Sequence, residues 1–132
     1  MSSANPLILV VDDDRGILEA LRLLFESEGY RVQTSDQGDY LNTLPDAPGG
    51  IPDLIVLDVL LSGWDGRALC QMLKSQESTR RIPVVMLSAH PSARESVREV
   101  GADAFVAKPF AIDDLLQAVE GLLTSTSGAE GT

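Results

Sequence analysis

Five polar side chains that could do chemistry together stand at the points where apolar segments of the chain end. They are three carboxylates, one hydroxyl and one ammonium group: Asp12, Asp13, Asp58, Ser88 and Lys108. Carboxylates that lie close together repel one another, and burial makes the repulsion worse. A hard divalent cation such as Mg²⁺ removes the conflict, because it takes carboxylate, carbonyl and water oxygens as ligands. The residue types therefore indicate a magnesium site.

The same residues could carry out phosphoryl transfer once a metal is present. A carboxylate such as Asp58 can then attack a phosphoryl group, as it does in enzymes that form an aspartyl phosphate. The transferred group spreads its charge over its equatorial oxygens. Mg²⁺, the Lys108 ammonium and the Ser88 hydroxyl are the kinds of group that would hold those oxygens.

Each of these residues also has a simpler structural explanation. Asp13 or Asp14 could cap the first helix, and Asp58 could accept a backbone N–H. Ser88 could be a turn residue, and Lys108 could be a solvated surface lysine. Their shared position at strand ends, on one edge of the predicted sheet, favours a common site.

The elements that position these residues alternate between strand and helix along the chain. Strands are predicted at 7–11, 30–34, 54–57, 82–87 and 104–107, with helices near 17–28, 40–44, 66–76, 92–101 and 112–123. Five such repeats predict a flavodoxin-like α/β domain, with helices on both faces of a parallel five-stranded sheet of order 2-1-3-4-5. In that order the first and third strands are neighbours, and all the polar strand ends fall on one edge.

Composition limits the class of protein. The 132 residues, 44% of them hydrophobic, suffice for one domain with a sizeable core. The net charge of −10 makes direct binding of nucleic acid by this domain unfavourable. No apolar run approaches the ~20 residues of a membrane span, so we expect a cytoplasmic protein without membrane contact. The single cysteine, Cys70, is expected to be a buried apolar residue.

Motifs along the chain resemble those of a response-regulator receiver domain of two-component signalling. The resemblance runs from residue 7 to about residue 123. It divides the chain into an N-terminal extension (1–6), a receiver domain (7–123) and a flexible tail or linker start (124–132). The matching segments, in order, are Val10-Val11-Asp12-Asp13, Leu57-Asp58, Asp65-Gly66, Leu87-Ser88-Ala89, Gly101-Ala102-Asp103-Ala104-Phe105 and Lys108-Pro109-Phe110.

The resemblance implies a role for each site residue. Asp58 would be the phospho-acceptor and would also belong to the metal site. Asp13 would be a direct Mg²⁺ ligand, Asp12 would act largely through water, and the backbone carbonyl of Leu60 would be a further ligand. The remaining residues would bind the phosphoryl group or switch in response to it: Ser88 as the switch hydroxyl, Phe105 as the switch aromatic, and Lys108 as the partner of the phosphate, with a cis bond to Pro109.

Some positions depart from the family pattern. Ser62 stands where proline is usual, Phe105 where tyrosine is frequent, and Ala111 where a polar helix cap is common. The connector 45–52 is longer than the fold needs. None of these departures removes a catalytic group, so they bear on the conformational output.

The resemblance also implies partners. A histidine kinase or a histidine phosphotransfer protein would donate the phosphoryl group, and a downstream effector protein or domain would read the switched surface. The domain would be a monomer or a phosphorylation-dependent dimer. It would be a signalling switch whose only chemistry is its own phosphorylation and dephosphorylation.

Two other functions remain open from the residues alone. A haloacid-dehalogenase-like phosphohydrolase would use Asp12 as its nucleophile, but Gly16 stands where that family has threonine or valine. Its late acids would be Asp113 and Asp114, which follow Lys108 too closely. A receiver-shaped interaction module that does not use phosphate is the third possibility, and the complete set of acids, hydroxyl and lysine argues against it.

Overall fold

A parallel five-stranded sheet forms the centre of the computed structural model, which describes residues 5–37, 41, 44, 50–61, 63–90 and 93–131, with side chains up to residue 124. In chain order the strands are β1 (Leu7–Val11), β2 (Arg31–Ser35), β3 (Leu54–Asp58), β4 (Leu60–Leu61), β5 (Trp64–Asp65), β6 (Val84–Ser88) and β7 (Ala104–Ala107). The main sheet has the order β2-β1-β3-β6-β7, which confirms the predicted flavodoxin-like order. The short strands β4 and β5 pair separately as an antiparallel hairpin.

The central strands are buried on both faces. Every residue of β1, β3 and β6 is buried, as expected for continuous apolar runs in a parallel sheet covered on both sides. Successive side chains point to opposite faces. Ile8 and Val10 therefore join one core cluster, and Leu9 and Val11 join the other.

Helices cover both faces of this sheet. They are α1 (Arg15–Ser27), α2 (Gly66–Ser75), α3 (Ala93–Glu99) and α4 (Ile112–Gly131). Buried residues of α1 and α4 share one core cluster, and those of α2 and α3 share the other. The predicted helix near 40–44 lies outside the described residues except for Leu41 and Leu44, which are buried on the α2–α3 side. Ser62, Ser92 and most of the connector 45–52 also lie outside them.

Local sequence signals set the ends of α1. The Asp14 side chain accepts the backbone N–H groups of Gly16 and Ile17, so Asp14 rather than Asp13 caps the helix. Gly29 follows the last turn with a φ of 92°, a conformation that favours glycine at this position.

The last helix, α4, is longer than the helix predicted over residues 112–123. The backbone of α4 stays helical to Gly131, through most of the segment predicted as a tail or linker start, and the division into extension, domain and tail stays a prediction. Among the helices of the described residues, none has the length and apolar character needed to cross a membrane.

Cys70 is fully buried, as predicted, and burial raises the pKa of its thiol to about 11.

Candidate functional site

Strand register brings the predicted site residues together at the carboxyl edge of the sheet. The last residue of β1 pairs with Leu57, which puts Asp12 beside Asp58. The last residues of β6 and β7 pair with each other, which puts Lys108 next to Ser88. The backbone N–H of Lys108 donates to the Ser88 carbonyl oxygen at 2.8 Å.

Three carboxylates form a compact cluster at this edge. One carboxylate oxygen from each of Asp12, Asp13 and Asp58 lies within 4.8 Å of the other two. Asp12 and Asp58 are buried, whereas Asp13 is exposed. This set of hard oxygen donors, with one side open to water, fits the preference of Mg²⁺ for a few carboxylates together with retained waters.

Lys108 bridges two of these acids. Its Nζ donates to Asp12 Oδ2 at 3.0 Å and to Asp58 Oδ2 at 3.1 Å, and its side chain is 17% exposed. Burial lowers the pKa of Lys108, but hydrogen bonds and charge from the two acids outweigh burial and leave that pKa above its ordinary value. Asp12 also accepts the backbone N–H of Asp14 through Oδ1 at 2.9 Å, so both of its oxygens are engaged.

Asp58, the candidate phospho-acceptor, lies in surroundings that disfavour the negative charge of its carboxylate. Burial, and then the negative charge of Asp12, raise the pKa of Asp58. Lys108 and the Leu60 N–H, which donates to Asp58 Oδ1 at 3.4 Å, act in the opposite direction without cancelling the increase. The lysine is paired with two acids, whereas Asp58 is paired with the lysine and shares its cluster with two further acids, Asp12 and Asp13. A cation at the cluster would therefore stabilise the ionised carboxylate.

A close backbone approach fixes the segment that follows Asp58. A Cβ carbon at Gly66 would collide with the backbone carbonyl of Asp58, and the Gly66 N–H donates to the Val59 carbonyl oxygen at 2.7 Å. The motif Asp65-Gly66 thus has a structural role that its residue types alone do not reveal. Only glycine lets α2 begin this close to the acceptor strand.

A family model matches most of the chain. It describes the response regulator receiver domain and covers residues 8–120. The chain belongs to this receiver family. The response regulator MprA of Mycobacterium sp. (strain KMS) is 38% identical over 126 residues, which are 94% of this chain and 53% of MprA. The receiver chain thus spans about half the length of the curated relatives that it matches.

Solved structures of receiver domains have the same fold. The signal receiver domain of a signal transduction histidine kinase from Syntrophus aciditrophicus is 35% identical, with a TM-score of 0.81 and 91% of each chain covered. The receiver domain of a sensor histidine kinase from Pseudomonas aeruginosa, solved with a magnesium ion coordinated in its active-site cleft, is 26% identical. Its TM-score is 0.80, with 92% of this chain and 99% of that chain covered.

The two switch candidates of this receiver make separate contacts: Ser88 ends β6 next to Lys108, and Phe105 lies on β7. Ser88 is 2% exposed, and its Oγ accepts the His90 N–H at 3.0 Å and donates to the His90 carbonyl oxygen at 3.4 Å. It therefore serves as a turn residue as well as a strand end. Phe105 is half-buried on β7, and the guanidinium carbon of Arg94 lies 4.8 Å from its ring centre.

Of the remaining sequence predictions, one is confirmed, one stays a prediction and one is not favoured. The Lys108–Pro109 bond is cis, as predicted. The role of the Leu60 carbonyl as a metal ligand stays a prediction. Asp113 and Asp114 are exposed in the first turn of α4, and the acid cluster found among the described residues does not include them. The phosphohydrolase alternative is therefore not favoured.

Proposed function

We propose that this receiver domain accepts a phosphoryl group on Asp58, with Mg²⁺ as its cofactor and a histidine kinase or histidine phosphotransfer protein as donor. The observation that carries the proposal is the setting of Asp58. Its carboxylate is buried, lies 3.1 Å from the Lys108 ammonium, and shares a cluster with Asp12 and Asp13. Such an arrangement combines a nucleophile with groups able to stabilise charge that develops during transfer.

The transfer step follows from ordinary phosphoryl chemistry. A carboxylate oxygen of Asp58 forms a bond to phosphorus, while the bond from phosphorus to the imidazole nitrogen of a phosphohistidine breaks. The imidazole leaves with the electron pair of that bond. Bound Mg²⁺ would neutralise charge on the phosphoryl oxygens.

The protein side chains have distinct roles in this proposal. Asp13, the exposed acid of the cluster, would bind the metal directly, and Asp12 would support it through water while orienting Lys108. The ammonium group of Lys108 then turns from Asp58 to the phosphoryl oxygens, because phosphorylation removes the free carboxylate that it contacts. The hydroxyl of Ser88 binds another phosphoryl oxygen. A carboxylate oxygen of Asp58 and the carbonyl of Leu60 would be the remaining protein ligands.

The proposed output is a change in the surface formed by α3 and β7. When Ser88 moves toward the phosphoryl group, Phe105 fills the space that the hydroxyl leaves. The contact between Arg94 and the Phe105 ring then changes, and a downstream effector protein or domain reads the new surface. Because Phe105 has no hydroxyl group, this output depends on ring position alone.

The comparisons support this proposal at the level of the family. MprA is named a response regulator, and the Pseudomonas aeruginosa receiver is described with a coordinated magnesium ion. This chain spans about half of MprA. The present protein's effector, its cytoplasmic location and its state as a monomer or a phosphorylation-dependent dimer are therefore part of the proposal. The proposal also includes that the protein acts as a switch and does not turn over a separate substrate.

Incubation with acetyl phosphate and Mg²⁺, followed by intact-protein mass measurement, tests the proposal. We expect one added phosphoryl group, stable in acid and labile in base, as an acyl phosphate is. Asp58→Ala removes the label. Asp13→Ala slows labelling severely, and Lys108→Ala impairs labelling while Mg²⁺ binding persists. Asp103→Asn, at the opposite edge of the sheet, is the control and labels like the wild type.

Two results would contradict the proposal. An undiminished label in Asp58→Ala, together with turnover of phosphomonoesters, would favour the phosphohydrolase reaction at Asp12. Absence of any label, despite Mg²⁺ binding, would favour an interaction module that does not use phosphate.

A further inference from the structure

A polar bridge through Arg67 connects the start of α2 to α3. The guanidinium group makes a two-pronged ion pair with Asp65: Nε lies 3.0 Å from Oδ1, and Nη2 lies 3.1 Å from Oδ2. Its remaining terminal nitrogen, Nη1, donates to Ser96 Oγ in α3 at 3.2 Å. One rigid, planar group with a fixed fork of donors therefore holds two elements together.

The Asp65 end of the bridge is joined to the acceptor site by the backbone. Asp65 pairs with Leu60 across the β4–β5 hairpin, and the Leu60 N–H donates to Asp58 Oδ1 at 3.4 Å. Gly66, the next residue after Asp65, packs against the Asp58 carbonyl. Phosphorylation of Asp58 would alter the carboxylate that the Leu60 N–H contacts, and the hairpin is the segment joined to that contact.

The Ser96 end of the bridge lies on α3, a helix of seven residues. In α3, Ala93 and Val97 face the core, while Arg94 lies over the ring of Phe105 at 4.8 Å. Ser96 thus ties α3 to α2, and Arg94 ties it to β7. A short helix with two buried side chains depends on such polar contacts for its position.

We propose that the Asp65–Arg67–Ser96 bridge is a latch that holds α3 in its unphosphorylated arrangement and is released when Asp58 carries a phosphoryl group. This inference rests on the function proposed above. A contact made only in the resting arrangement lowers the affinity for any ligand that favours the other arrangement. Removal of the latch therefore increases the affinity of the site for a phosphoryl mimic.

Binding of beryllofluoride at saturating Mg²⁺ measures this affinity. The emission of the single tryptophan, Trp64 in β5, reports binding, and the amide shifts of residues 93–99 report the position of α3. Ser96→Ala removes the acceptor on α3 and leaves the Arg67–Asp65 pair in place. We expect about two- to tenfold tighter binding, the range that one partly exposed hydrogen bond supports.

Two further variants show whether the effect passes through the bridge. Arg67→Ala is expected to shift the affinity in the same direction. The double variant should then be no tighter than Arg67→Ala alone, because residues that act through one contact are not additive. Ser75→Ala is the matched control: Ser75 Oγ donates to the Met72 carbonyl at 2.8 Å, much as Ser96 Oγ donates to the Ala93 carbonyl at 3.0 Å. It should bind like the wild type.

The outcomes separate the latch from the function on which it rests. If the wild type shows no response to beryllofluoride, the proposed function is wrong and the latch fails with it. If the wild type responds and Ser96→Ala binds equally or more weakly, the latch alone is wrong. Additive effects of Arg67→Ala and Ser96→Ala would also overturn it.

Discussion

The two edges of the central sheet both carry acids and a lysine, but they balance these charges differently. At the amino edge, Asp53 accepts the N–H of Leu7 at 2.7 Å. Asp103 accepts the N–H of Val84 at 2.8 Å and the ammonium group of Lys74 at 2.9 Å. Each of these acids therefore has a backbone donor at the start of a neighbouring strand.

The carboxyl edge also supplies backbone N–H donors to Asp12 and Asp58, but it differs in how its acids share one cation. Asp12 and Asp58 share the single ammonium group of Lys108, and Asp13 lies in the same cluster. Burial and neighbouring charge raise the pKa of Asp58. An acid with its own strand N–H or lysine partner stabilises the fold, whereas a cluster of three acids around one lysine is poised for a cation or a reaction. The comparison thus separates a structural edge from a functional one.

The largest effect is expected where backbone packing constrains the functional edge. Gly66→Ala should destabilise the protein by about 3 kcal/mol, because its methyl group collides with the Asp58 carbonyl and the backbone must shift. Urea unfolding measures the change. Gly121→Ala, in α4 with open space around it, is the control and should be neutral or slightly stabilising. Equal effects of the two variants would contradict the close approach.

The structural edge is expected to lose stability when an acid is removed. Asp103→Ala leaves the Val84 N–H and the Lys74 ammonium group without their carboxylate partner, at a cost of about 2 kcal/mol. Urea unfolding of the metal-free protein checks this. A gain in stability would mean that this edge also carries unbalanced charge, and the comparison between the two edges would fail.

Mg²⁺ should stabilise the protein through the functional edge only. At ten times its dissociation constant, an ion that binds only the folded state adds about 1.4 kcal/mol. Thermal unfolding with and without Mg²⁺ should show this gain in the wild type and in Asp103→Ala. In Asp13→Ala the gain should disappear. A gain that persists in Asp13→Ala would place the metal elsewhere.

A smaller effect of opposite sign is expected at Asp58. With EDTA present, Asp58→Asn should stabilise the protein at neutral pH by about 1 kcal/mol, as replacement of a strained functional residue often does. The folded-state pKa of Asp58 is raised above 3.8, so the folded state holds this proton more tightly and stability falls as pH rises through the folded pKa.

The pH profile therefore provides the check on that prediction. The advantage of Asp58→Asn should be present at neutral pH and should shrink as pH falls through the folded pKa of Asp58. A variant that is less stable than the wild type at neutral pH would show that the Lys108 contact outweighs burial and the charge of Asp12.

The sequence predicted the fold and the membership of the site for identifiable reasons. Long β-branched and leucine-rich runs such as Leu7–Val11 indicate buried parallel strands, and the known strand order then brings their ends together. The sequence predicts that Asp12, Asp58 and Lys108 meet because each follows or ends a predicted strand, and the structure brings them within hydrogen-bonding distance.

Other features could not be derived from local pattern. The β4–β5 hairpin has two-residue strands, too short for any periodicity. The bond from Arg67 to Ser96 spans 29 positions, and only the packing of α2 against α3 creates it. The choice of Asp14 over Asp13 as helix cap, and the double contact of Lys108, depend on side-chain geometry that residue types do not specify.

The most direct test of the central claim is to locate the phosphorylated residue. After incubation with acetyl phosphate and Mg²⁺, borohydride reduction converts an aspartyl phosphate to homoserine, and peptide mass analysis identifies the position. The account predicts homoserine at residue 58 alone, with none at the acids of the amino edge. Homoserine at Asp12 or Asp103, with Asp58 unmodified, would contradict it.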